Sequence, residues 1–548
     1  MIRWLGLTVL LAGCSIIYEL MLASTLALLT GDHIWWYSWT IAVFISGLAG
    51  GSYLASKPKV NDETFLKVEL MLSGLGVLSI FWVMFMHWSF YLMEVQLILT
   101  YTVEFFKYGG LIKTLFFILT EGLVLAIGVL SGFEIPLILR ALKNTTGKDY
   151  DNLIIALNYL GTLLGTLLFS LFLYNYLNLI MIGVVVGLGN LWACWMIPMP
   201  RRSKKLIISS FLISAAALGM GRYNNEIEQV YLKTRYYLLE HVDENKGSQK
   251  GFLDSLSMLP SVERMKSLYQ KIDFVKGKQP GSKDLTMFLD TNYQFSTKNE
   301  QNYHETFSHV ALSLASQEPK TVLVLGAGDG LLVRELLKHP SITKIKLIEL
   351  DGKILNMFKT EPLSLLNEKS LLDARVEAEV GDGFFYARNT QDKFDAIFID
   401  FPHPKTYDLT RLYSTEFYQN IRRILNPKGI AVMDFPVEFL SQEQQFMPGN
   451  ADDRYKINNV IFSTLFYSGF RSIIPIRTKL ETFILMSPSE FKVNYEVGPN
   501  FSKLVHQVTP EEVKELQNLN CPYKISKDNI NSIFFPKLID HNSMFPVN

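Results

Sequence analysis

Thr321-Val-Leu-Val-Leu-Gly-Ala-Gly-Asp-Gly330 decides the fold of the more polar part of this 548-residue chain. Thr321 to Leu325 is a short apolar, valine-rich run, as a strand buried in a parallel sheet requires. Gly326 to Gly330 follows as a tight turn, and Leu331 to Lys338 reads as a helix. The same unit repeats outward. Lys344–Leu350, Val376–Val380, Asp395–Ile399 and Gly429–Met433 are further strands. Strands alternating with helices predict a doubly wound, Rossmann-like α/β domain, with its site at the carboxyl ends of the strands.

Those ends carry acids. The glycines Gly326, Gly328 and Gly330 let the backbone approach a ligand closely, in a turn that dinucleotide and S-adenosyl sites share. Asp329 inside the turn discriminates, because a carboxylate repels a pyrophosphate and favours a sulfonium, an ammonium or an amine. Glu349 ends the next strand, where an acid takes ribose hydroxyls in such folds, and Asp351 is its near neighbour. Asp382-Gly383 follows the third strand and suits an adenine edge. Asp400 ends the fourth.

The amino-terminal part is built for another solvent. Residues 1–200 hold 20 charged side chains, against 84 in the remaining 348. Its long apolar runs must satisfy their backbone groups internally, so a multi-pass helical membrane domain is expected. Spans are expected at 4–29, 35–56, 67–90, 111–139, 152–174, 177–198 and 205–221, with Trp35-Trp36-Tyr37 at an interface. Segment 91–109, with Glu94 and Glu104, fits an interfacial helix or an extra span. Gly47/Gly51 and Gly161/Gly165 permit close helix contact. Glu19, Glu121 and Glu134 lie inside apolar runs, as interhelical hydrogen-bonding groups or as a path for a cation. Leu11-Ala12-Gly13-Cys14 matches a lipoprotein box, but the chain after it stays apolar, so cleavage is not expected.

Residues 222–315 read as a small β-rich subdomain, with strands at Gln270–Val275 and Leu285–Leu289 and a loop over 240–262. The expected division is therefore 1–221, 222–315 and 316–548. Fifty-two basic and 52 acidic residues balance, which argues against a nucleic-acid partner. Three scattered cysteines support neither a disulfide framework nor a cysteine-rich zinc site, and no metal is expected.

The ordered residues also carry a resemblance. Val322 to Pro340 looks like the signature of spermidine synthases, the polyamine aminopropyltransferases. Phe288 to Ser296, Tyr303-His304-Glu305, Asp382-Gly383, Asp400 and Leu412 to Tyr418 continue it in order. The apolar half, through Ile17-Tyr18-Glu19-Leu20, resembles the membrane-bound branch of that family. The resemblance implies transfer of an aminopropyl group from decarboxylated S-adenosylmethionine, a co-substrate rather than a cofactor, to an amine, usually putrescine. It implies that Gln270 holds the nucleoside, Glu349 its ribose, and Asp382 with Gly383 its adenine. His304 and Asp329 would sit by the amine chain, Asp400 would accept the proton, and Gln294 and Tyr303 would line the cleft. Family analogy also suggests a homo-oligomer. One departure stands out: the family's second acid, three residues after the catalytic one, is His403 here, with Tyr407 and Asp408 nearby.

Two rival readings remain. One is methyl transfer from intact S-adenosylmethionine, which Asp329 and the Tyr-His-Glu motif disfavour. The other is a polyamine sensor or carrier without catalysis, which His403 and the intramembrane acids favour. Location divides similarly. Basic loops at Lys57/Lys59, Arg140/Lys143/Lys148 and Arg201 to Lys205, with seven spans, place the carboxyl-terminal part outside. The nucleoside is made inside cells, which places that part in the cytoplasm, and this second argument is preferred.

Overall fold

The structure, a computed structural model, describes residues 1–30, 33–57, 62–100, 102–197, 203–244, 256–279, 281–315, 317–404, 407–439, 455–479 and 481–538. The chain divides into two compact units after Val262.

In the first unit, seven of the described helices are long and apolar enough to cross a membrane: Ile2–Thr30, Ile34–Ala55, Glu63–Met93, Leu111–Thr146, Asp151–Tyr176, Leu179–Met196 and Lys204–Arg222. Each covers one expected span. Residues 91–100 prolong the third helix and residues 102–109 the fourth, rather than forming a separate element. The side chains of Glu94 and Glu104 lie outside the described residues.

The small-residue pairs join helices within the chain. A Cβ at Gly47 would stand 2.8 Å from the Leu125 carbonyl oxygen, and one at Gly161 would stand 2.5 Å from that of Val9. Side chains larger than hydrogen at these points would force the helices apart.

Two buried acids in this unit, Glu121 and Glu69, are held by neighbouring helices. Thr40 donates to Glu121 Oε1 at 2.9 Å. Glu69, which the sequence reading passed over, is fully buried. It accepts from Asn190 Nδ2 at 2.9 Å, and Tyr18 donates to Asn190 Oδ1 at 3.0 Å. Glu19 and Glu134 are buried as well.

Residues 224–244 correct the expected β-rich subdomain. They form a helix that belongs to the first unit. Its buried positions Tyr231, Leu232, Thr234, Arg235 and Tyr237 recur at helical rather than alternating spacing.

The second unit opens with an antiparallel sheet of β1 (Glu263–Lys266), β2 (Lys271–Lys276), β3 (Leu285–Leu289) and β4 (Asn292–Ser296), in that order. A seven-stranded sheet follows. Its strands are β5 (Thr321–Gly326), β6 (Lys344–Glu349), β7 (Val376–Val380), β8 (Phe394–Asp400), β9 (Leu425–Asp434), β10 (Ser472–Thr478) and β11 (Glu481–Ser487). Their spatial order is β10-β11-β9-β8-β5-β6-β7. Strands β5 to β9 are parallel, and the hairpin β10–β11 adds antiparallel to β9.

Both faces of this sheet are covered. Val322, Val324, Phe398 and Val432 pack into one core, and Leu323, Leu325, Ile399 and Met433 into the other. That is why these strands read as continuous apolar runs. Strand order reverses between β5 and β8, which opens a crevice at their carboxyl ends.

Candidate active site

The turn after β5 lies at that reversal. Gly326 has φ +86°, and a Cβ there would run into the Asp400 carbonyl. A Cβ at Gly328 would stand 2.6 Å from Glu349 Cγ. The turn therefore packs its backbone directly against two of the predicted acids. Gly330 precedes the helix Leu331–Leu337, and Asp329 Oδ1 accepts from the Leu331 amide at 2.9 Å.

Asp400, the last residue of β8, accepts from the Tyr303 hydroxyl at 2.8 Å. Burial and the neighbouring Asp329 charge raise its pKa to about 6, although the Tyr303 hydrogen bond and His304 pull the other way. Tyr303 is fixed by its ring, 5.1 Å from that of Phe483 and 5.6 Å from that of Phe307.

His304 follows on the same short helix. Its Nδ1 lies 2.7 Å from Glu300 Oε2, so it donates to that carboxylate. Arg334 Nη2 in turn donates to both Glu300 oxygens at 3.0 Å. Burial opposes charge on His304, but the Glu300 hydrogen bond and the Asp329 charge outweigh it and raise its pKa. Burial also raises the pKa of Asp329.

A second group lies at the end of β6. Glu349 accepts from the Gly328 amide at 3.1 Å and from the Asp351 amide at 2.7 Å. Burial raises its pKa to about 7. Gln270 Nε2 donates to Asp351 Oδ2 at 3.1 Å, which ties the loop before β2 to this strand end. Asp382 caps the helix Gly383–Asn389 through the Phe384 amide at 2.8 Å. Its other oxygen accepts from Arg411 at 2.8 Å.

Two predicted residues stand apart. Gln294 is exposed, and its amide bonds locally to the Asn292 and Tyr293 carbonyls. The alternation of β4 turns it away from buried Phe295. His403 is exposed as well, on the loop that Tyr413 anchors by donating to the Phe401 and Pro402 carbonyls.

Sequence reasoning passed over four residues. Glu300 and Arg334 lack a motif of their own, although Glu300 sits four before His304, one helical turn away. Asp434 ends β9 beside Asp400, and extending the strand-end pattern by one strand finds it. Glu481 opens β11, and only the hairpin topology brings it to this edge.

Residues 300–446, which span Tyr303 to Asp434, match the spermine/spermidine synthase domain. The polyamine aminopropyltransferase of Leptospira interrogans is 31% identical over 77% of this chain and 76% of its own length. Polyamine aminopropyltransferase 1 of Streptomyces coelicolor is 30% identical over 76% and 72%. The Thermotoga maritima spermidine synthase structure aligns with a TM-score of 0.34 and 23% identity, over 49% of this chain and 82% of that one. With the strand-end acids in place and similarity that runs through most of both chains, this protein belongs to the polyamine aminopropyltransferase family.

Proposed function

We propose that the second unit transfers an aminopropyl group from decarboxylated S-adenosylmethionine to a diamine, putrescine foremost. The observation that carries this reading is the Tyr303–Asp400 hydrogen bond at the strand-order reversal, next to the Asp329 turn. A sulfonium is already an activated leaving group. The difficulty is the acceptor, which arrives protonated. Asp400, with its pKa near 6, is charged at neutral pH and takes the proton from the attacking ammonium. The freed nitrogen attacks the methylene next to sulfur. The carbon–sulfur bond breaks with its electron pair going to sulfur, and methylthioadenosine leaves as a neutral thioether. Alignment of amine, carbon and sulfur supplies the rest of the acceleration.

In this reading Glu349 takes the ribose hydroxyls, and Gln270 steadies that strand end through Asp351. Asp382, engaged by Arg411 and by two amides, shapes the adenine pocket through its backbone and Gly383. His304 and Asp329 line the aminopropyl chain. The helical unit spans the cell membrane, and the catalytic unit lies in the cytoplasm, where the nucleoside is made. Protease protection in sealed vesicles tests that side.

Product mass spectrometry on the detergent-purified chain tests the reaction. Methylthioadenosine together with an aminopropylated amine is the expected result. Methylated product from intact S-adenosylmethionine instead would replace the reading with methyl transfer. Bound amine without product would replace it with sensing or carriage.

A further inference from the structure

We propose that Asp434, with Glu481 beside it, holds the distal ammonium of the diamine acceptor, the task the family gives to an acid at the position of His403. The proposal rests on the aminopropyl-transfer reading and adds the acceptor subsite to it.

Position 403 is badly placed for that task. His403 is exposed and carries no carboxylate, and Asp408, on the short helix Tyr407–Thr410, is exposed too. The sheet supplies acids elsewhere. Strand β9 runs parallel to β8 with Ile399 opposite Met433, so Asp400 and Asp434 come next at the same level. Side chains alternate along a strand, so both point to the face of Phe398 and Val432, the face on which Tyr303 packs.

On β11, Phe483 lies opposite Asp434. Glu481 is two residues earlier, so it shares that face and lies just past the end of β9. Three neighbouring strands therefore present Asp400, Asp434 and Glu481 on one face, Asp400 and Asp434 level and about 5 Å apart and Glu481 two residues further out. Tyr303 stands over this face, donating to Asp400 with its hydroxyl also within reach of Asp434.

The charges acting on Asp434 are of its own sign, from Asp400 and Glu481. Burial and these neighbours raise its pKa strongly. A carboxyl that like-charged neighbours hold in its neutral form is one that an arriving ammonium ionises, because the cation relieves the repulsion that keeps the proton on. The geometry fits a linear diamine whose near nitrogen meets Asp400 and whose far nitrogen meets Asp434. A longer polyamine would extend toward Glu481.

Steady-state kinetics with methylthioadenosine as readout decides this, using putrescine and n-butylamine as acceptors. Asp434→Asn is expected to raise the KM for putrescine about tenfold or more, the scale of one charge-assisted hydrogen bond. It should also lower the putrescine-to-butylamine ratio of kcat/KM by a similar factor, since the monoamine has no far ammonium. The KM for the nucleoside should move far less. Glu481→Gln, at the first residue of its strand and beyond the end of β9, should raise the KM for putrescine less than Asp434→Asn does. An unchanged putrescine KM in Asp434→Asn would overturn the assignment. So would an equal loss with both amines, or a tenfold rise in His403→Ala in its place. Should the wild type give no methylthioadenosine with any amine, the transfer reading falls, and calorimetry of putrescine binding decides the subsite separately. Tenfold weaker binding in Asp434→Asn would support it, and equal binding would overturn it.

Discussion

In the sheet unit, Asp400 sits at the end of a strand and takes a hydrogen bond from Tyr303, and Glu349 takes two from backbone amides. In the helical unit, Glu69 sits mid-helix and is held by Asn190, which Tyr18 holds in turn. One oxygen each of Glu69, Glu121 and Glu134 has no hydrogen-bond partner among the described residues. Both units bury carboxyl groups, but they aim them differently. A strand end projects its side chain into the crevice that the sheet leaves open. A helix in a bundle projects it between neighbours that must themselves supply the partner. The first arrangement prepares a group for a ligand, and the second ties helices together. Substitutions that separate turnover from stability are the way to break this contrast.

The largest effect is expected at Asp400. Asp400→Asn keeps the shape of the side chain and the Tyr303 contact but removes the proton acceptor. Turnover should fall on the order of a hundredfold to ten-thousandfold, the usual contribution of a positioned base. Nucleoside binding by calorimetry should persist. Turnover within threefold of wild type would show that strand-end placement does not identify the base.

Tyr303→Phe should cost less, about ten- to a hundredfold in kcat, for one hydrogen bond to a charged group. It also carries a sign. The Tyr303 hydrogen bond lowers the Asp400 pKa. In the wild type, kcat/KM should drop as pH falls through about 6, where Asp400 takes a proton. Without the hydroxyl the drop should begin at higher pH. A shift to lower pH would contradict the geometry.

Legibility follows the same contrast. The central strands β5, β8 and β9 were readable because burial on both faces makes them continuous apolar runs between turns, as Val322–Leu325 and Ala396–Ile399 are. Their end acids were readable because one residue after such a run is the crevice. Asp434 obeys this rule and still went unread, since the resemblance gave that strand end no role. Glu481 was not readable, because an antiparallel hairpin, unlike a strand end, carries no local mark of which edge it joins. Helix 224–244 shows the opposite failure, because interspersed polar residues concealed its helical spacing. Glu69 lies inside the expected span 67–90 and went unremarked there, and its neighbour Asn190 marks it as an interior group.

A smaller effect tests the glycine turn. Gly328→Ala puts a methyl group 2.6 Å from Glu349 Cγ, so either the turn or the carboxyl must shift. The KM for the nucleoside should rise about tenfold, the loss of one hydrogen bond's worth of alignment. The putrescine KM should move less, because Asp400 and Asp434 lie on other strands. Equal shifts in both would mean that the turn supports the whole crevice rather than the ribose end.

The smallest effects should come from the helical unit, and there they should appear in stability alone. Asn190→Ala removes the donor to Glu69 and the nearer acceptor of Tyr18 together, leaving the Glu69 carboxyl unpaired and Tyr18 with only the Leu72 carbonyl at 3.4 Å. An unpaired buried group costs about 1–3 kcal/mol, so the thermal midpoint in detergent should fall by a few degrees. Glu69→Gln keeps an acceptor oxygen toward Asn190 and the same volume, so its midpoint should stay closer to wild type. In both variants kcat per folded molecule should stay near the wild-type value, as expected of groups that tie helices together. If Glu69→Gln instead lowered turnover while leaving the midpoint in place, the buried acids of the two units would share one task, and the distinction between them would fail at its weakest point.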